Sequence, residues 1–144
     1  MLFKAERIRA EWFGASLGPA RINPTMKEVA LDAITFAEAL GWDPMLTCIL
    51  RTPAENDVLY GGHGDHFTGV HVDGRGVDIR TVDVSPAHVA AVVAHINQTW
   101  VYAPGDPTRV AKRCAFLEDD CNPGSSAPHL HLQVFPTTAE RTFG

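Results

Sequence analysis

The seven residues His129–Phe135 (HLHLQVF) constrain this chain more than any other stretch. Successive side chains of a strand point to opposite faces, so Leu130, Leu132 and Val134 share one face and His129, His131 and Gln133 share the other. Three aliphatic side chains in a row must face a core. Both imidazoles are then left on a polar face, beside an amide.

The remaining elements follow from periodicity and punctuation. Asn23-Pro24 is a helix start, a capping residue followed by proline at the first helical position. From Lys27 to Leu40 the residues Val29, Ala30, Ala33, Ile34, Ala37 and Leu40 form one apolar stripe, which Gly41 ends. Ser85-Pro86 opens a second helix by the same logic, with Val89, Val92, Val93 and Ile96 inward. Met45–Leu50 (MLTCIL), bounded by prolines, is a buried strand, and residues 53–66 are a polar, Gly-rich loop. Strands are expected at Trp100–Ala103, Val110–Leu117 and His129–Phe135, with a turn at 104–107 and a loop at 119–128. Residues 1–22 are an irregular lead-in. Two helices among five or six strands give an α+β fold: a mainly antiparallel sheet flanked by two or more helices.

At 144 residues, with 45% apolar and 20% charged, the chain has the size and composition of one globular domain spanning 1–144. A core of that size forms without disulfides or a metal to staple it. The net charge of −5 and the absence of any Lys/Arg run exclude the basic footprint of a nucleic-acid binder. No apolar stretch reaches the ~18–20 residues of a membrane span, and the N-terminus has no continuous apolar segment, so it is not a secretory signal. Cys48, Cys114 and Cys121 make no even disulfide set and no CxxC pair, and they are expected to be structural thiols, although Cys114 and Cys121 leave a pairing open.

Geometry singles out His71 and Asp78. The runs Gly69–Val72 and Val77–Val82 flank Asp73-Gly74-Arg75-Gly76, a hairpin signal. In such a hairpin Val72 faces Val77, and His71 directly faces Asp78 with Cβ atoms about 4.5–5.5 Å apart. If His129–Phe135 lies beside it, His71, Asp78 and His131 meet. Two histidines and a carboxylate with an open fourth position are a known catalytic zinc arrangement, here for one ion. His88 and His95 are assigned to a helix surface, and His63 and His66 to a solvated loop.

The stretch from His71 to Asp78 followed by His129-Leu130-His131 resembles the HxxxxxxD…HxH signature of zinc peptidases related to D-Ala-D-Ala carboxypeptidases, lysostaphin-type enzymes and the hedgehog signalling domain. Thr47–Thr52 (TCILRT) is similar to the strand that delivers an active-site arginine in the D-Ala-D-Ala branch. The resemblance spans residues 47 to 135. It implies that His71, Asp78 and His131 hold zinc, that His129 assists catalysis and that Arg51 binds the substrate carbonyl or the developing oxyanion. The chain departs from the pattern at Gly69, where relatives often have serine, and at Gly76, where they have alanine. It also has Pro128 where many carry an acidic general base. His129, or a more distant acid such as Glu118, then takes that role.

The activity this resemblance implies is hydrolysis of an amide bond in peptidoglycan stem or cross-link peptides, and a small single domain without a signal or a recognisable wall-binding module fits a phage-type lysin or a virion component. Zinc lowers the pKa of bound water to about 7, and the permanent charge of Arg51 counters a developing oxyanion. Two other readings are open. A non-catalytic zinc-containing binding or virion module keeps the site without the base, as Pro128 suggests. A cupin-like barrel also uses HxH, but the helices at Asn23 and Ser85 argue against it.

Overall fold

The computed structural model describes residues 1–103, 113–118 and 128–141. Among these described residues, four helices and seven strands follow in the order β1 (Leu2–Phe3), α1 (Glu6–Trp12), α2 (Pro24–Ala39), β2 (Met45–Cys48), α3 (Pro53–Leu59), β3 (Gly76–Arg80), α4 (Pro86–Thr99), β4 (Trp100–Val101), β5 (Ala115–Glu118), β6 (His129–Gln133) and β7 (Ala139–Glu140). The fold is α+β. Its main sheet runs β1-β2-β3-β6-β5, antiparallel except for the β1–β2 pair, and β4 pairs with β7 in a separate ribbon.

One face of the sheet packs on α2 and α4. Leu46, Ile79, Leu130 and Leu132 are almost fully buried there, together with Met26, Val29, Val92 and Ile96 from the helices. Each such aliphatic side chain contributes roughly 1.5–3 kcal/mol by leaving water. Both helices start where the sequence indicates, but only the first is capped by its side chain. Asn23 Oδ1 accepts from the backbone N–H of Thr25 and Met26, at 2.9 and 3.2 Å. Pro86 sits in the first turn of α4, but the Ser85 side chain makes no cap bond. His95 is not a plain surface residue: its Nε2 lies 2.8 Å from Asp32 Oδ1 and its ring stacks on Phe36, which ties α4 to α2.

Three expectations need correction. Residues 1–12 are not irregular, because Leu2–Phe3 adds a parallel edge strand and α1 buries Ile8 and Trp12. The stretch 53–66 is not all loop: Pro53–Leu59 is helical, started by a reciprocal capping box between Thr52 and Glu55. Gly69–Val72 is not a strand, so there is no hairpin through Asp73–Gly76 and Val72 does not face Val77. Strand β3 already has β2 on one edge and β6 on the other, so no edge remains for it.

The strand expected at Trp100–Ala103 shortens to Trp100–Val101, and the one expected at Val110–Leu117 has residues 110–112 outside the described residues and forms Ala115–Glu118 within them. The turn at 104–107 and most of the loop at 119–128, with Cys121, fall outside the described residues. Cys114 is buried, which pushes its thiol up to about 12, as befits a packed structural cysteine. Among the described residues no helix is long and apolar enough to cross a membrane.

Candidate metal centre

The polar face of the sheet forms the floor of a cavity of about 650 Å³, lined in part by Arg51, Asn56, His71, Asp78, Glu118, His129 and His131. The in-register ladders place four of these side chains. Asp78 of β3 is directly opposite His131 of β6, and Glu118 of β5 is directly opposite His129. His131 Nδ1 lies 2.8 Å from Asp78 Oδ1, His129 Nε2 lies 3.0 Å from Glu118 Oε2, and His131 Nδ1 is 3.6 Å from that same Glu118 oxygen.

His71 reaches the cluster by another route. Residues 70–74 coil into a turn closed by Asp73 N–H to Gly69 O and Arg75 N–H to Val70 O. The turn is docked on the end of β2, where Arg51 N–H donates to His71 O. His71 Nε2 then lies 3.2 Å from Asp78 Oδ2, while its Nδ1 faces the Ile49 carbonyl at 3.0 Å. So His71 and Asp78 do meet, but through a turn and not across a hairpin.

His71, Asp78 and His131 are 5%, 6% and 5% exposed, dry enough for their electrostatics to matter. Burial by itself lowers the pKa of His71, but the Asp78 carboxylate and the Cys48 sulfur reverse that and hold it well above the usual imidazole value. Burial likewise pushes Asp78 up, and the two neighbouring imidazoles override it, so its carboxyl stays well below the usual range. A hydrogen bond with His129 keeps Glu118 low against its own partial burial.

No family model, curated protein or solved structure matches this chain.

The donor chemistry fits a divalent ion. Two groups of potential ligand atoms, each within 4.8 Å of one another, share Asp78: one is Asp78, Glu118, His129 and His131, the other Cys48, His71 and Asp78. The structure brings each expected histidine to Asp78, His71 to Oδ2 and His131 to Oδ1, but among the described residues the two histidines fall in different groups and do not form one such group together. Around a tetrahedral zinc with bonds near 2.1 Å, neighbouring donors stand about 3.4 Å apart. The His71–Asp78 and His131–Asp78 separations of 3.2 and 2.8 Å approach that spacing. Cys48 is a weaker ligand candidate, because its sulfur lies 3.6 Å from His71 Nδ1, on the side of the ring turned to Ile49.

Arg51 also reaches the cavity wall. Its guanidinium donates to Asn56 Oδ1 at 2.8 Å and to Cys48 Sγ at 3.5 Å, and it lines the cavity without a carboxylate partner among the described residues. Asn56 is held in turn by the carbonyls of His66 and Thr68. His63 stays outside the cavity lining, and the exposed His66 stacks on Tyr60. A third group, Asp57, Asp65 and His66, serves the loop instead, since Asp57 accepts the backbone N–H groups of Gly64, Asp65 and His66.

Sequence reasoning gave no structural place to Asn56 or to the Ile49 carbonyl, and it left Glu118 as a distant acid. The capping box at Thr52–Glu55 was a usable signal for the helix that presents Asn56. Nothing local in sequence pairs Glu118 with His129.

Proposed function

We propose that this chain is a zinc-dependent peptidase of the D-Ala-D-Ala carboxypeptidase, lysostaphin and hedgehog type, hydrolysing an amide bond in peptidoglycan peptides. One observation supports the metal most directly: all four ring nitrogens of His71 and His131 face oxygen acceptors. These are Ile49 O and Asp78 Oδ2 for His71, and Gln133 Oε1 and Asp78 Oδ1 for His131. A neutral imidazole has a single N–H. Two neutral rings therefore leave two lone pairs aimed at one carboxylate. Two extra protons or one divalent cation resolve both contacts, and the cation does so with each outer N–H donating to an oxygen, as ligand histidines do.

His71 Nε2, Asp78 and His131 Nδ1 would hold the ion, which supplies Lewis-acid activation of water at neutral pH. The other groups divide the proton and charge work. Glu118 Oε2 accepts a proton from the attacking water as its oxygen bonds the carbonyl carbon. That proton passes to the leaving nitrogen when the C–N bond breaks, giving a carboxylate and an amine. His129 holds Glu118 in place and steadies the charge around it. Arg51 stabilises negative charge developing on the carbonyl oxygen. Glu118 reaches the site from β5, so a carboxylate is present although Pro128 occupies the position where relatives carry one. This favours the enzyme over the non-catalytic module.

The test is elemental analysis of the purified chain together with release of new amines from peptidoglycan peptides, with and without a chelator. Bound zinc and chelator-sensitive release are expected. Zinc without hydrolysis selects the non-catalytic module, and a chain that takes up no zinc sinks the reading.

A further inference from the structure

We propose that Gln133 is the positioning residue that selects which nitrogen of His131 is presented to Asp78, an inference that rests on the metal-centre reading above. The two ends of a glutamine amide differ chemically: one only donates and the other only accepts. The donating end of Gln133 is committed, because its Nε2 lies 3.0 Å from the carbonyl oxygen of Arg113. The accepting end is thereby turned to His131, with Oε1 3.2 Å from Nε2. Only a ring protonated at Nε2 completes that contact. Its remaining lone pair then sits on Nδ1, the nitrogen 2.8 Å from Asp78 Oδ1.

The local fold protects this arrangement. Gln133 is two residues beyond His131 on one strand, so both project to the same face. It is 5% exposed, which keeps water from substituting for either contact. Its cross-strand partner is Gly76, which has no side chain to compete for the space. The other ring is held differently, since the acceptor for His71 Nδ1 is the Ile49 backbone carbonyl, which no substitution removes. Gln133 is therefore a side chain through which the orientation of His131 can be changed without touching that residue. Outer partners of ligand histidines typically govern metal affinity by 10–100-fold.

The experiment compares full-length wild type, Gln133→Met and Gln133→Glu by chelator competition for zinc, thermal melting and the NMR signals of the His131 ring in the zinc-loaded chain. Wild type should show a proton on His131 Nε2. Gln133→Met should bind zinc about 10–100-fold more weakly. Gln133→Glu keeps an acceptor for Nε2–H but loses the donation to Arg113, so it should melt lower while keeping zinc affinity near wild type. A purely structural glutamine predicts the opposite pattern, with both variants equally weak or both unchanged in affinity, and either result overturns the proposal. So does a wild-type His131 protonated at Nδ1, a measurement that needs no variant to fold. If wild type takes up no zinc, the metal-centre reading falls and this inference with it. If wild type and Gln133→Met bind zinc alike, this inference falls alone.

Discussion

The site is assembled from two halves built by different means. Asp78, His131, His129 and Glu118 sit on β3, β6 and β5, and strand registry alone places them: directly opposed residues must share a face. His71 and Arg51 instead sit on chain bends, one in the turn through 70–74 and the other just beyond β2. They are joined by a single backbone hydrogen bond from Arg51 to His71. The sheet half is as stable as the core beneath it. The bend half is held by individual backbone and side-chain hydrogen bonds, such as those of His71 Nδ1 with Ile49 O and of the Arg75 guanidinium with Val134 O, and is expected to open locally more readily than the sheet. The sheet thus supplies the carboxylates and two imidazoles, and the bends supply the third imidazole and the Arg51 guanidinium.

The severest way to break this division is at the atom pair the halves share. Asp78 touches His71 through one carboxylate oxygen and His131 through the other. Asp78→Asn should abolish stoichiometric zinc binding by elemental analysis, a larger loss than the 10–100-fold typical of outer partners, with the helical circular dichroism retained. Zinc content equal to wild type would refute the shared-carboxylate arrangement. Next in size is Arg51→Ala, which removes a cation from the bend half without touching a ligand. Turnover should fall about 10²–10³-fold, the usual cost of losing one oxyanion-stabilising group, while zinc content stays at the wild-type level. Full activity would remove Arg51 from the chemistry.

The same division explains what the sequence reveals. The β6 part of the sheet half rests on local period: the alternation of His129–Phe135 places His129, His131 and Gln133 on one face, and the structure agrees, with Leu130, Leu132 and Val134 fully buried, whereas the pairing of Asp78 and Glu118 with that strand is nonlocal. The bend half is legible in composition but not in shape. Asp73-Gly74-Arg75-Gly76 has the residues of a hairpin turn, yet which strand occupies the edge of β3 is decided by β2, some thirty residues earlier. Nonlocal competition of this kind leaves no trace in a short window. Gly76 shows the same point in reverse. A Cβ there would lie 2.8 Å from Val70 Cγ2 and 3.2 Å from His71 Cε1, so the glycine, expected as part of a hairpin turn, instead makes room for the turn at residues 70–74.

Gly74 offers a graded test of that turn. Its φ of +72° is a left-handed conformation, and a Cβ would sit 2.0 Å from the Arg21 backbone oxygen, which cannot swing aside as a side chain can. The adjacent segment is pinned as well, since Asn23 N–H donates to Gly74 O. Gly74→Ala should therefore cost about 2–3 kcal/mol in denaturant unfolding. It should also weaken zinc binding by displacing His71. If stability falls with zinc affinity untouched, the bend half is tied to the sheet more firmly than its hydrogen bonds indicate.

The smallest effect concerns the support behind Arg51. Helix α3 presents Asn56, and α3 is tied to α1 by Arg7, whose guanidinium bonds Glu55 at 2.6 and 2.7 Å and Glu11 at 3.0 Å. The hydrogen bonds from Arg7 lower the Glu55 pKa to about 2, against a partial desolvation that raises it. A carboxyl whose folded pKa is depressed stabilises the fold above its unfolded pKa, near 4.3. That stabilisation is lost as pH falls from there through about 2. Glu55→Gln isolates the charge, because glutamine can still close the capping box with Thr52. The side chains of Arg7 and Glu55 are 38% and 41% exposed, so screening limits the pair to less than about 1 kcal/mol. Wild type should exceed Glu55→Gln by that margin at pH 7, and the two unfolding curves should converge as the pH approaches 2. The gap should also shrink in high salt. A gap that persists at pH 2 would mean that Glu55 acts through packing rather than charge, and that α3 is anchored independently of α1.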